Sequence, residues 1–236
     1  MRHSRFASPA FGAALLVSGF GGPPARAADA QHPTVIELFQ SQGCSSCPPA
    51  NASLIQFSQR PDVLALNFAV TYWDRLGWKD TFATPQYTQR QYDYSSALHG
   101  SGVYTPEIIV NGRADGVGDE VSEMEALARR TDRGTAGPSV AFEGGEVAVG
   151  AGAAPARGAD VWLALYDPRT VEVAIARGEN AGRTLPHKNI VRRMILLGHW
   201  NGGAARVALP AGEAGLARAV LVQSAGTGPI LAAAKG

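Results

Sequence analysis

Cysteine is the scarce residue of this 236-residue chain, which contains two, Cys44 and Cys47. A framework of several disulfides is thereby excluded. The one possible pair closes a loop of four residues, and loop-closure entropy grows with loop length, so a structural staple explains it poorly. Charge is also sparse, at 17% of residues with a net charge of +1. No basic field exists for a nucleic-acid partner. No apolar run approaches the roughly 20 residues of a spanning helix, so no membrane span is expected. Missing too are a Gly-rich phosphate loop, paired catalytic carboxylates and a nucleophile elbow. Covalent haem in its usual form is excluded, because Pro48 stands where Cys-x-x-Cys-His needs histidine. Zinc would need two further ligands, and His99, His187 and His199 are scattered. No cofactor or metal is assigned on these grounds.

The N-terminus carries an address. Arg2 and Arg5 open the chain, Ala10 to Phe20 is a short apolar run, and Ala25-Arg26-Ala27 is a small-x-small cleavage pattern. Residues 1–27 read as a signal peptide, which places the protein in the periplasm or outside the cell. No cysteine lies near the cleavage point and no Arg-Arg pair precedes the apolar run, so ordinary secretion is expected. Removing the leader takes away three arginines and leaves a slight acidic excess. In an oxidising compartment a lone, closely spaced cysteine pair points to redox chemistry.

The pair sits between an apolar strand, Thr34 to Phe39, and a helix whose first turn holds Pro48 and Pro49. Proline suits that turn, where its missing N–H would be unpaired anyway. A thiolate there is stabilised by free backbone N–H groups and the positive end of the helix dipole. Val63 to Val70 reads as a buried central strand. Thr84-Pro85 opens a second helix with Tyr87, Gln91, Tyr94 and Leu98 on one face. Glu107 to Val110 and Arg113 to Val117 flank Asn111-Gly112, a hairpin signal. Asp119 is positioned to cap a third helix. The order over 33–134 is β-α-β-α-β-β-α, an α/β domain with its early strands parallel.

After the linker Arg133 to Pro138 the periodicity changes. Ser139–Phe142, Glu146–Val149, Asp160–Tyr166, Val171–Ala176, Ile190–Leu197, Ala204–Leu209, Ala219–Gln223 and Pro229–Ala233 are short strand-like runs separated by turn residues. Residues 138–234 read as a mostly antiparallel, β-sandwich-like second domain.

The first domain resembles the thioredoxin superfamily. The likeness rests on Cys44-Ser-Ser-Cys47 after strand one, Thr105-Pro106 before the third strand, and the Asn111-Gly112 hairpin after it. Glu37 to Pro49, Tyr72 to Asp80 and Gly178 to Arg183 further resemble one family of secreted bacterial proteins of unassigned function. The resemblance implies a cis Pro106 beside the dithiol, shaping with Thr105 a groove for an extended peptide. It also implies a buried acid assisting the resolving thiol. Glu37 is the candidate, with a solvent-facing side chain as the alternative, since one residue of offset flips the strand face.

Cys44 is the expected attacking thiol, at an exposed helix tip, and Cys47 the resolving one. Trp73 and Asp74 follow the second strand's C-terminal end, the edge that carries the Cys44 loop, and are candidates for a wall of the substrate site. Trp78 is read as covering the sheet end. The polar loop from Arg177 to Asn189 packs over the dithiol, binds a partner, or simply connects strands. The expected activity is exchange with protein thiols or disulfides, or with a redox partner. Ser45-Ser46 between the cysteines leaves its direction open. Two alternatives stand: Cu(I) held by both thiolates, and a non-catalytic module whose β domain binds a partner.

Overall fold

The computed structural model describes residues 1, 27–98, 100 and 102–236. Residues 2–26 of the expected leader, His99 and Ser101 lie outside them. The fold is a mixed, mostly β arrangement with three helices among the described residues. Strands β1 (Thr34–Gln40) and β2 (Val63–Ala69) are buried at every position. They pair in parallel, joined by helix α1 (Cys47–Phe57). Helix α2 (Pro85–Ala97) begins where Thr84 Oγ1 accepts the Tyr87 N–H, with proline in its first turn. That hydroxyl satisfies one of the orphan donors of the helix start.

Strand β3 (Glu107–Val110) runs antiparallel to β1 and turns into β4 (Ala114–Gly116). Asn111 and Gly112 both have positive φ, at 51° and 62°. At Gly112 a Cβ would lie 2.6 Å from the Gly228 carbonyl oxygen, so only glycine fits. Helix α3 (Val121–Arg130) is capped at Glu120 rather than the expected Asp119, whose carbonyl instead accepts from Ser53 Oγ. Glu123, early in α3, takes the Val117 and Gly118 N–H groups, which closes the turn without a side-chain cap.

The second segment contributes β5 (Val140–Glu143), β6 (Glu146–Val149), β7 (Ala159–Asp167), β8 (Val171–Ala174), β9 (Thr184–His187), β10 (Ile190–Trp200), β11 (Ala205–Ala208), β12 (Ala217–Ser224) and β13 (Ile230–Lys235). Four of its strands join the sheet of the first segment. The order β13-β12-β7-β10-β2-β1-β3-β4 makes one eight-stranded sheet across both segments. The joint is narrow: β10 meets β2 in parallel at Ile190 and Asn67. Asn189, at φ 53°, accepts the Asn67 N–H on its carbonyl and donates from Nδ2 to the Ala65 carbonyl. The sheet also curls back, since Ile230 of β13 donates its N–H to the Asn111 carbonyl.

Side-chain alternation sorts the core by face. Ile36, Leu38, Val63 and Ala65 pack under α1 and α3. Val35, Phe39, Leu64, Leu66 and Phe68 face the opposite way, with Tyr87 and Tyr94 of α2 and with Ala164, Leu221 and Ile230 of the second segment. A three-stranded sheet, β11-β6-β5, lays Val147 and Val149 on Val161, Leu163, Val220 and Val222. This two-layer packing is the sandwich-like part. Strands β8 and β9 form a separate hairpin that leans on α1.

Candidate functional site

Strand β1 ends at Gln40 and the chain turns through Ser41 to Ser46 into α1. Within the turn, Cys44 N–H donates to the Ser41 carbonyl at 3.1 Å and Cys47 N–H to the Cys44 carbonyl at 3.2 Å. Cys44 and Cys47 are joined by a disulfide with Cα atoms 5.4 Å apart. Cys47 is the first residue of α1, and its neighbours Pro48 and Pro49 remove donors that had no partner. Ser46 Oγ lies 3.3 Å from Cys44 Sγ and donates to the Thr105 carbonyl at 3.4 Å. The Thr105–Pro106 peptide is cis, and the Ser46 hydrogen bond sets Thr105, one of the expected groove pair, against the turn that carries the cysteines.

Contrary to the expected exposed tip, Cys44 and Cys47 are 0% and 1% accessible. Ser45 and Ser46 between them are exposed. The cover comes from the tip of the β8–β9 hairpin, inside the polar loop between Arg177 and Asn189. Asn180, fully buried, donates from Nδ2 to the carbonyls of Gln42 at 2.9 Å and Cys44 at 2.8 Å. Arg183 Nη1 donates to Asn180 Oδ1 at 2.7 Å, which fixes the amide's orientation and leaves it fully paired. Glu179 Oε2 accepts from Ser45 N–H at 3.1 Å and Ser45 Oγ at 2.7 Å. Helix α1 has no acid in its first turn, so the hairpin brings the negative charge its positive end favours. Those two hydrogen bonds hold the Glu179 carboxyl below the usual carboxylate range. Gly178, at φ 78°, lets the tip approach Trp78, whose Cβ would lie 3.3 Å from a Cβ there.

The aromatic loop after β2 forms the second wall. Trp73 Nε1 donates to Thr105 Oγ1 at 2.7 Å. Trp78, read as a cover for the sheet end, donates to Gln42 Oε1 at 2.9 Å. Asp74 reaches the site indirectly. Its Oδ1 accepts the Asp80 N–H at 3.1 Å, and Asp80 Oδ2 accepts the Gln42 N–H at 2.7 Å. Burial pushes the Asp80 carboxyl up to about 6, against the Gln42 and Phe82 N–H bonds that favour its ionised form.

Beneath the disulfide, on the α1 face, lies a set of buried amides. Asn67 Nδ2 donates to Asn51 Oδ1 at 2.8 Å, and Asn51 Nδ2 donates to Gln40 Oε1 and the Cys47 carbonyl, each at 3.3 Å. Among the described residues, Gln40 Nε2 and Asn67 Oδ1 have no partner. Glu37 is elsewhere. It is wholly buried rather than solvent-facing, but on the α2 face, where Arg90 donates to both its oxygens at 2.6 and 2.9 Å and Tyr94 OH donates as well. The site therefore gathers Cys44, Cys47, Thr105, Pro106, Trp73 and, through Asp80, Asp74, and leaves Glu37 on the far side of the sheet. Sequence reasoning singles out none of Glu179, Asn180 and Asp80, and weighs His187 only as a scattered zinc ligand. The density of polar groups from Arg177 to Asn189 hints at Glu179, Asn180 and His187.

No helix among the described residues is long and apolar enough to cross a membrane. A crystal structure of a protein from Agrobacterium tumefaciens is similar at 35% identity and a TM-score of 0.71, covering 89% of this chain and 95% of that one. HBP35 of Porphyromonas gingivalis shares the fold at a TM-score of 0.58 and 14% identity, covering 87% of this chain and 75% of its own. Comparison with curated proteins finds no match. The family described as protein of unknown function (DUF1223) matches residues 35–223, and the chain belongs to that family.

Proposed function

We propose that this chain is an exported thiol–disulfide oxidoreductase acting on protein thiols through Cys44 and Cys47. One observation carries the reading: the chain's two cysteines are bonded at the start of α1, beside the cis Thr105–Pro106 peptide. Support also comes from the strand order β2-β1-β3-β4, with α1 and α3 on one face and α2 on the other, as in a thioredoxin-like domain. The leader-like N-terminus supports export to an oxidising compartment.

In such exchange a substrate thiolate attacks Cys44 Sγ and the Cys44–Cys47 bond breaks. Cys47 leaves as a thiolate and takes up a proton. A second substrate thiolate then displaces Cys44, so two electrons pass from substrate to protein; the reverse sequence reduces a substrate disulfide. With its one proton turned from the Thr105 carbonyl to the sulfur 3.3 Å away, the Ser46 hydroxyl favours the Cys44 thiolate in either direction, as does the helix end. Because both sulfurs are covered in the closed form, a protein substrate gains access only when the hairpin tip lifts. Trp73, held on Thr105, then forms the groove wall.

The test is turnover in a protein disulfide-exchange assay together with mixed-disulfide trapping by Cys47→Ser. Loss of turnover in Cys44→Ser and capture of a substrate by Cys47→Ser are the expected results. Full turnover in Cys44→Ser would remove the enzyme reading and leave the partner-binding one. Cu(I) on the reduced pair is a second reading, favoured by two soft thiolate ligands on residues whose Cα atoms lie 5.4 Å apart. Titration of the reduced protein against bicinchoninate decides it, absence of competition removing the copper role.

A further inference from the structure

Strand β9 ends on His187, a side chain the exchange reading does not use and which is 1% exposed. It reaches a cavity of about 20 Å³ between the hairpin and α1, lined by Gln40, Ser41, Cys47, Asn51 and His187 among others. That volume holds one water, which needs two to four polar partners. The walls offer them. Gln40 Nε2 is buried with no hydrogen-bond partner among the described residues. Ser41 Oγ accepts the Gly43 N–H at 3.1 Å and keeps its own proton to donate. His187 Nδ1 lies 3.1 Å from the Leu185 carbonyl oxygen. A carbonyl can only accept, so Nδ1 carries the ring proton and Nε2 presents its lone pair.

The other groups around the ring are known. Val171 stands opposite across the hairpin. The Phe82 ring packs edge-on at 5.9 Å, with Asp80 bonded to the Phe82 N–H and the Arg192 guanidinium stacked on that ring. Cys47 is the titratable group that shares the cavity.

We propose that His187 carries the proton of Cys47, relayed by a water held in this cavity. The role rests on the exchange reading above. When Cys44 holds a substrate sulfur, the Cys47 thiol gives its proton through the water to His187 Nε2. The thiolate attacks Cys44 Sγ, the Cys44–Cys47 bond forms, and the substrate sulfur departs as a thiolate with the bonding pair. The protein dithiol is oxidised and the substrate disulfide reduced. In the opposite direction Cys47 departs as a thiolate and His187 returns the proton. In the disulfide form burial holds the imidazole down at about 4, the Leu185 carbonyl opposing. A Cys47 thiolate in the same cavity favours the imidazolium, so in the reduced protein the two groups titrate as a coupled pair.

The test uses the whole reduced protein and an aromatic disulfide, 5,5′-dithiobis(2-nitrobenzoate). The first thionitrobenzoate released reports attack by Cys44, and the second reports ring closure by Cys47. His187→Gln is expected to slow the second release about 10²-fold relative to the first and to flatten its pH profile between 5 and 8. A second release as fast as in the native protein, with the same profile, overturns the role and leaves the exchange reading standing. Release of neither equivalent by the native protein overturns both. Should His187→Gln not fold, the native imidazole is titrated by NMR in both redox states. A rise of about one unit or more on reduction supports the relay, and identical titrations overturn it.

Discussion

The two faces of the sheet bury polar groups in opposite ways. On the α2 face, Glu37, Arg90, Tyr94 and Gln223 form a closed charged network. Arg90 is bonded twice to Glu37 and also to Gln223 at 3.0 Å, and Gln223 donates to Tyr94 OH at 2.9 Å. Burial alone would lower the Arg90 pKa, but the Glu37 carboxylate beside it keeps the guanidinium firmly charged. Under the cysteines, on the α1 face, the groups are mostly neutral amides, two of their atoms lack partners, and a cavity adjoins them. A satisfied network rigidifies; an incompletely satisfied one costs stability and persists where something else uses it. The first cluster holds β1, α2 and β12 together. The second surrounds the disulfide.

The sharpest break between the two is Arg90→Ala. It leaves the Glu37 carboxylate buried without its cation, a loss of about 3–5 kcal/mol. Chemical denaturation is expected to show that whole loss while the rate of disulfide reduction stays within about twofold, because the network lies across the sheet from Cys47. A large change in reduction rate would mean that the faces are coupled and the comparison fails.

Asp80 sharpens the other side. Its carboxyl titrates near 6 in the folded protein against about 3.9 in an unfolded chain. The folded state therefore holds the proton to higher pH. The stability it contributes is complete below about 4 and is lost as pH rises through about 6, by about 3 kcal/mol. Asp80→Asn removes that slope. His187, whose pKa moves the other way, adds an opposing slope over the same window, so the measurement is the difference between variant and native protein in urea at pH 4 and pH 7. An unchanged difference would show that Asp80 is better solvated than its burial implies.

Local signals made the first segment legible. The parallel strands, the Thr84 cap and the Asn111-Gly112 turn each follow from a few adjacent residues, whereas the cis Thr105–Pro106 peptide is expected only from the family resemblance. Strand β9 was not legible, because Leu185 and His187 are its only buried positions and Pro186 lies between them. Nor was the single sheet. The joint between β10 and β2 is one register pair and one asparagine, with no local pattern to announce it. Glu37 shows the cost of a period-2 code, since one residue of offset moved it from the dithiol to the network with Arg90. The Cys44 carbonyl is paired with Asn180, 136 residues away, and no motif around the cysteines encodes that contact.

That contact supplies the smallest and most specific effect. Asn180 stabilises only the closed hairpin, where the Gln42 and Cys44 carbonyls are removed from water; once the tip lifts, water satisfies both. Asn180→Ala leaves two buried acceptors unpaired, each a cost of about 1–3 kcal/mol, part of which relaxation recovers. The free energy needed to open the tip falls accordingly. If opening is fast relative to attack by a small phosphine, the reduction rate follows the open population. A loss of about 1.4 kcal/mol in the closed form then speeds reduction about tenfold. Arg90→Ala, though far more destabilising globally, is the control that separates a local latch from general loosening. Acceleration in both variants, larger in Arg90→Ala in proportion to its greater loss of stability, would mean that the disulfide is reached by global unfolding. Acceleration in Asn180→Ala alone assigns access to the hairpin tip.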